Sequence, residues 1–527
     1  MNGIIKKIKL HIGSAEGLIF TLLSALLFVM QSFAHSISAG ALRNALIALA
    51  ACFALCPLVF RYAERFKLPN RFNESKGNKR LELFLCISPF IILIFQYIIY
   101  YPGGFSRDSY YQYTQAVTNS YDDWHPVLHT LLFFKLPLFL TNGWTGSIVL
   151  FQIILFSLTL AYTVKTLSKY INIKLIAIII IWIAINPQTI NLVLYPWKDI
   201  AFAMGTLLLT DFALNICFSK GEWIKNIPNT VAVILIISLT TIIRHNAILF
   251  TAPYLFALIF FISKKRAAVI ILSAVVLFGA IKYPVYNYLH VKPAENLQEE
   301  TLGLPLSVID AVAAFDSDSL DEKTRAEIYR ITPEKVLKEN FEYSGYNTVK
   351  WNKDNNKAVI EEYGAKKILQ LAFSCFKASP KTAVHELLYI TSGGWGLINE
   401  DAFLLKNNEL YFDTPAIDYK LDFRTEGIPA LQKVSAAYTY SFAVIFPLIF
   451  LSLGIMYMAI IFVILVKRRL RSKEGLKRIL FALPVFSYNF ITMLLLSSAE
   501  DTIRFFYYTF LVTPLLLVML AKKKQKL

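Results

Sequence analysis

The stretch KKRAAVIILSAVVLFGAIKYP, residues 264–284, sets Lys264, Lys265 and Arg266 against an apolar run that is interrupted only at Lys282. A run of this length matches the roughly 17–25 residues that a helix needs to cross hydrocarbon. The cations at its start mark its cytoplasmic end. Beyond it the charge changes sign: residues 284–434 hold 23 Asp and Glu against 17 Lys and Arg, while the rest of the chain holds 36 basic residues against 13 acidic ones. The stretch therefore reads as a membrane span that delivers an acidic segment to the outside.

Working outward from it, runs of similar character occur at 18–34, 41–60, 82–101, 146–164, 173–187, 199–218, 229–243, 246–262, 437–466, 479–497 and 503–520. With 267–283 they make twelve. A cytoplasmic N-terminus puts Arg61, Arg65, Lys67, Arg71, Lys76, Lys79 and Arg80 inside. It also puts Lys264-Lys265-Arg266, Lys467-Arg468-Arg469 and Lys522-Lys523-Lys524 there, as the bias of basic loops toward the cytoplasm requires. The apolar stretch 127–140 is short and carries Lys135; counted as a full span it would invert everything after it, so it reads as an interfacial or re-entrant helix. Lys6, Lys7 and Lys9 ahead of a run ending near Ser32-Phe33-Ala34 share the pattern of a signal peptide, but its removal would leave the remaining topology unchanged.

Composition agrees. The 527 residues are 56% hydrophobic and 14% aromatic, with mean hydropathy +0.52, far too apolar for a soluble protein of this size. The net charge of +17 falls in clusters beside apolar runs, so it is written by topology and calls for no nucleic acid. Cys52, Cys56 and Cys86 lie in apolar segments, Cys217 ends one, and only Cys375 lies in the polar region, which leaves no disulfide framework or zinc motif. The expected fold is an all-α polytopic membrane protein with about twelve transmembrane helices and one interfacial helix. It divides into a membrane domain 1–283, a mainly helical extracytoplasmic domain 284–434 and a membrane domain 435–527. Helical periodicity at 319–340 and 357–376, punctuated by Gly364, Pro380 and Gly393-Gly394, supports the helical character of the outer part.

This orientation gathers the polar groups on one face. The first long outer loop runs Pro102-Gly103-Gly104-Phe105-Ser106-Arg107-Asp108-Ser109 and continues to Tyr121-Asp122-Asp123-Trp124-His125-Pro126. Helical spacing from Asp108 aligns Gln112 and Gln115 with it, and Tyr110, Tyr113 and Trp124 suit the headgroup level. Trp197-Lys198-Asp199 opens the sixth span, Arg244-His245-Asn246 turns between the seventh and eighth, and Glu500-Asp501 with Arg504 joins the last two. Ionisable groups near a bilayer are costly, so they face cavities and pair with one another or with a ligand. Any single Asp is more often a cap or a solvated loop acid, and Lys198-Asp199 also reads as a local ion pair or a snorkelling anchor. A carboxylate beside several cations at this level suits sugar transfer from a polyprenyl phosphate. The acid takes the acceptor's proton and the cations hold the departing phosphate. No Gly-rich phosphate loop is present, so a nucleotide-sugar donor has no visible seat.

At these residues the chain resembles the GT-C glycosyltransferase superfamily, and within it a bacterial multispanning family described only as a domain of unknown function. The resemblance rests on Pro102-Gly103 through Asp108-Ser109, Asp123-Trp124-His125-Pro126, Lys198-Asp199, Arg244-His245-Asn246 and Leu304-Pro305-Leu306 with Ile309. It implies a catalytic Asp after a core span, at Asp108 or Asp123, with Asp122 and His125 beside it. Donor phosphate binding would fall to Arg244, Lys198, Arg504 and His245, supported by Arg107, Asp199, Glu500 and Asp501. The implied partners are a polyprenyl-phosphate-sugar donor, a surface glycan or lipid-linked acceptor and membrane lipid. The chain lacks an Asp-x-Asp or Asp-Glu pair at Asp108, so a divalent Mg or Mn ion is possible and not required. A polysaccharide polymerase or ligase shares this outer-face logic; a transporter of lipid-linked glycans would instead place ionisable groups near the midplane.

The orientation carries a direct expectation. Cysteines introduced across 284–434, in a background without the native thiols, should react with a membrane-impermeant maleimide on intact cells. Protection at several polar positions would invert the topology and remove the outer site.

Overall fold

The computed structural model describes residues 14–34, 36–65, 78–294, 297–343, 345–397, 427–445, 452–467, 470, 472–499 and 502–521. Glu500, Asp501, Lys67, Arg71, Lys76, Arg468, Arg469 and Lys522-Lys523-Lys524 lie outside them, as does 398–426 of the acidic segment. Among the described residues every regular element is helical, and extended backbone pairs only as an isolated parallel bridge between Asp122 and Lys292.

The chain opens with α1 (Ala15–Ala34), α2 (Ala39–Arg65) and α3 (Lys79–Ile99), followed by the polar α4 (Arg107–Thr118) and the apolar α5 (Val127–Leu140). Then come α6 (Gly146–Ser168), α7 (Ile173–Ile185), the two-turn α8 (Pro187–Leu192), α9 (Lys198–Ser219), α10 (Ile227–Ile243), α11 (Ile248–Ile259) and α12 (Lys264–Tyr288). The polar segment supplies α13 (Gly303–Phe315), α14 (Glu322–Ile331), α15 (Glu334–Asn340), α16 (Lys357–Ala378) and α17 (Pro380–Trp395). The chain closes with α18 (Pro429–Ile445), α19 (Leu453–Val466), α20 (Leu483–Met493) and α21 (Thr502–Ala521).

Seven of these, α1, α2, α3, α6, α9, α12 and α21, are long and apolar enough to cross a membrane. The other apolar runs form shorter helices, and proline explains several of the differences. α7 stops at Asn186 because the residue before Pro187 is driven out of the helical region. α10 begins at Ile227-Pro228, where the missing N–H would be unsatisfied anyway. The run 437–466 is divided between α18 and α19. α5 holds one turn of π-helix, Thr130–Lys135, within its length, and packs on α4.

α9 is the hub. It is buried on nearly every face, the pattern of a helix enclosed by others, and it packs against α6, α10 and α21. α12, by contrast, turns Leu272, Val275 and Val276 outward, as a helix facing lipid does. The polar segment has its own core around Leu306, Ile309, Val312, Ile328, Val349, Ile360 and Ile368. It joins the bundle where the Asn347 N–H donates to Ser497 O at 3.0 Å and where Leu304 and Ile390 meet Leu453, Leu496 and Phe506. Gly393 and Gly394 do not break a helix as their sequence suggests; they lie inside α17, where Gly394 lets it close on Met493 and Phe506.

The loop carrying α4 is pinned to the turn after α8. The Gly103 N–H donates to Tyr100 O at 2.7 Å and the Gly104 N–H to Leu194 O at 3.0 Å. Gly103 has φ 110°, and a Cβ there would sit 2.5 Å from Val149 Cγ2 and 3.0 Å from Leu194 O. Gly103→Ala therefore adds overlap to backbone strain, and should lower stability by about 2 kcal/mol or more. Gly143, with φ 88° and open space around it, bears strain alone. Melting of the two alanine variants in detergent should rank Gly103→Ala clearly below Gly143→Ala; equal melting points would refute the close approach.

Candidate functional site

Asp108 lies in the first turn of α4, where a carboxylate favours the helix dipole. Ser106 at the N-cap position makes no cap bond; its hydroxyl accepts from the Trp197 indole N–H at 2.8 Å. That contact brings the start of α9 beside the start of α4. Arg504, from the first turn of α21, donates through Nη1 to Asp108 Oδ2 at 2.9 Å. Its guanidinium carbon lies 4.9 Å from the Trp197 ring centre and 5.1 Å from that of Phe505. A planar cation held over aromatic rings is fixed in orientation toward its carboxylate partner.

His125 completes the group. Lys198 Nζ lies 3.0 Å from its Nδ1. An ammonium has only donors, so Nδ1 accepts and the imidazole carries its proton on Nε2. That Nε2–H faces Asp108 Oδ1 at 3.8 Å, too far for a direct hydrogen bond. Burial and then Lys198 depress the His125 pKa well below its ordinary value, in keeping with a neutral ring. Burial alone would raise the Asp108 pKa, but Arg504 above all, with Lys198 adding to it, outweighs this and holds the carboxyl well below the usual carboxylate range. Asp108 is largely enclosed by protein, yet 30% of its side-chain surface is accessible, so the carboxylate can be reached from outside.

The other loop acids have structural partners. Asp122 accepts from the Tyr111 hydroxyl and, through Oδ1, from the Trp124 N–H at 3.0 Å, which closes a local Asx turn. Asp123 accepts from the Tyr286 hydroxyl, and Lys282 Nζ lies 3.5 Å from its Oδ2. His245 Nε2 reaches its backbone oxygen at 2.9 Å. With the Asp123 N–H donating to Lys292 O at 2.9 Å, these contacts tie the loop to the end of α12. Arg107 is exposed on the first turn of α4.

Lys198 and Asp199 are not partners of one another. Lys198 turns to His125, whereas Asp199 turns inward and pairs with Arg244. Both members of that pair are buried, Arg244 Nε donates to Asn246 Oδ1 at 2.6 Å, and the guanidinium lies among Phe202, Tyr488 and Phe505. Of the four residues expected at the donor phosphate, Lys198 and Arg504 thus stand near Asp108, His245 stands at Asp123, and Arg244 is paired with Asp199.

Several groups here were not singled out in the sequence. Lys282 and Tyr286 close an apolar run at i and i+4, which was their only signal. Lys350, in the polar segment, pairs with Glu300 and stands 5.8 Å from the Trp124 ring centre, so this segment roofs the loop. Nothing in the sequence announces that contact. Among the described residues no three His, Cys, Asp or Glu converge as a metal site. A guanidinium, an ammonium and an imidazole around Asp108 do not form the oxygen cage that Mg or Mn requires. No protein-family model matches the chain, and comparisons with curated proteins and with solved structures return no match.

The buried pair permits a test of role. Removing one partner leaves an uncompensated charge, so Arg244→Ala or Asp199→Ala should each cost about 3–5 kcal/mol. The double variant Arg244→Met/Asp199→Leu should recover most of that in thermal melts. Single variants that melt like the parent would free Arg244 for a ligand.

Proposed function

We propose that this chain transfers a sugar from a polyprenyl-phosphate-linked donor to a glycan or lipid-linked acceptor on the outer face of the membrane, as a GT-C-type glycosyltransferase. The observation that carries this reading is the cluster at Asp108. An accessible, ionised carboxylate bonded to Arg504 and a neutral imidazole bonded to Lys198 face one another at 3.8 Å. The twelve-span arrangement belongs to the same proposal. α7 and α8 together give about the 20 residues a crossing needs, broken at Asn186-Pro187, and α10 is just long enough.

In this reaction the acceptor hydroxyl attacks the anomeric carbon while the bond from that carbon to the phosphate oxygen breaks. The electron pair leaves with the phosphate, and Arg504 and Lys198 hold the growing charge. Asp108 takes the acceptor's proton. A carboxylate with a depressed pKa is a weak base, but the donor itself corrects this. Its phosphate draws on the same cations, and the added negative charge raises the Asp108 pKa toward the useful range. His125, held by Lys198 with its Nε2–H toward Asp108, fixes the side of the carboxylate that meets the acceptor. Asp123 and Asp122 hold the loop that carries His125, and Arg244 and Asp199 fix the helix ends behind it.

Mass spectrometry of surface glycans from cells with and without the protein should reveal one missing sugar and so name the product. Complementation with Asp108→Asn, which keeps the shape and loses proton acceptance, should then reduce transfer by roughly 10²–10⁴-fold, with the protein inserted normally. Asp123→Asn should act through the loop and fall less. Activity retained in Asp108→Asn and lost in Asp123→Asn would move the base to Asp123. Normal transfer by both would end the proposal.

A further inference from the structure

Helix α9 carries a cation at each end. Lys198 opens it beside His125 and Asp108; at the other end, about 33 Å away for 22 residues at 1.5 Å each, Lys220 caps it with φ 55°. A cavity of about 180 Å³ lies there, between the end of α9, Phe260 and Phe261 after α11, and the short helix Lys473–Ile479. Three cations, Lys220, Lys477 and Arg478, line it with one acid, Glu474.

The walls are built rather than incidental. Gly221 has φ 84°, its N–H donates to Ile216 O at 2.9 Å, and a side chain there would strike the Phe261 carbonyl. Arg478 is buried, donates to Met519 O at 3.3 Å and lies 5.2 Å from the Phe218 ring centre. Lys220 and Glu474 stand 3.7 Å apart and are both well exposed, a solvated pair of little net attraction. Lys477 has no acidic partner among the described residues. The cavity therefore keeps a surplus of positive charge. Phe260 at its edge and Leu476 next to Lys477 are exposed and apolar, which a soluble anion does not need and an acyl chain does.

We infer that this cavity binds the phosphate of an anionic phospholipid headgroup from the leaflet at that end, the cytoplasmic one by the bias of basic loops. Lys220 and Lys477 supply the charge, Arg478 forms the inner wall, and the acyl chains leave past Phe260 and Leu476. The volume equals about six waters at ~30 Å³ each, enough for a phosphate group. Basic pockets between helices on this side are the general form of such sites. The site is independent of the transfer reaction at the other end of α9.

The full chain in nanodiscs of phosphatidylcholine, with or without phosphatidylglycerol, tests the inference by native mass spectrometry and thermal melting. The parent should retain one phosphatidylglycerol more than Lys220→Ala/Lys477→Ala. Its melting point should rise by about 2–4 °C with the anionic lipid, and the double variant should lose that rise. Glu474→Gln, which removes the competing carboxylate, should strengthen retention. Lys165→Ala/Lys169→Ala, at the same end of α6 but outside the cavity, should behave as the parent. Equal loss in that control, or no difference in the cavity variant, would overturn the site. A rise given by inorganic phosphate in neutral detergent, lost in Lys220→Ala/Lys477→Ala and absent with phosphatidylglycerol, would overturn the lipid and leave a soluble anion.

Discussion

The contact on which the arrangement turns is the hydrogen-bonded ion pair of Asp108 with Arg504, two residues 396 positions apart. Neither charge is affordable alone so close to hydrocarbon, where the cost of desolvation exceeds what a single hydrogen bond returns. Pairing them forces the loop after α3 against the start of α21. Once that is done, Trp197 is trapped between them, its indole bonded to Ser106 and its ring under Arg504. Lys198 follows in the chain and is thereby aimed at His125. One electrostatic requirement thus assembles four segments of chain around a single carboxylate.

Adjacent residues of α9 show how the helix divides labour. Successive side chains on a helix point about 100° apart, so Lys198 and Asp199 serve different surroundings. Lys198 faces His125 beside Asp108. Asp199 faces the packed interior, where Arg244 neutralises it and aromatic rings enclose both. The inner pair adds nothing to the Asp108 cluster directly. It holds the turn between α10 and α11, and so His245, against the loop that carries Asp123 and His125. A guanidinium spent in this way gives position to the groups above it.

What the sequence disclosed and what it hid follow from range. Hydropathy and charge bias are local sums, so the helical class, the long apolar helices and the membrane character were legible. The convergence of Asp108, His125, Lys198 and Arg504 was legible only as a shared side of the membrane, a constraint that confines groups to a plane without pairing them. Pairing depends on helix rotation, which hydropathy does not encode. Arg244 and Lys198 look alike as cations at span ends, yet one is buried with Asp199 and the other stands beside His125. Proline was read for punctuation in the polar segment and not weighed within apolar runs, so the break at Asn186-Pro187 passed unmarked. Gly393-Gly394 erred the other way, since glycine marks close approach as readily as a turn.

The Asp108 cluster also lies where two parts of the chain meet. Arg504 and Lys198 come from the starts of α21 and α9 in the apolar bundle, while Trp124 of the loop that carries His125 stands beside Lys350 of the polar segment. The loop is thus held from one side by the charges of the bundle and from the other by the polar segment, and neither hold depends on the other. A group of ionisable side chains fixed from two sides keeps its spacing when either side moves, which is what a preorganised site requires.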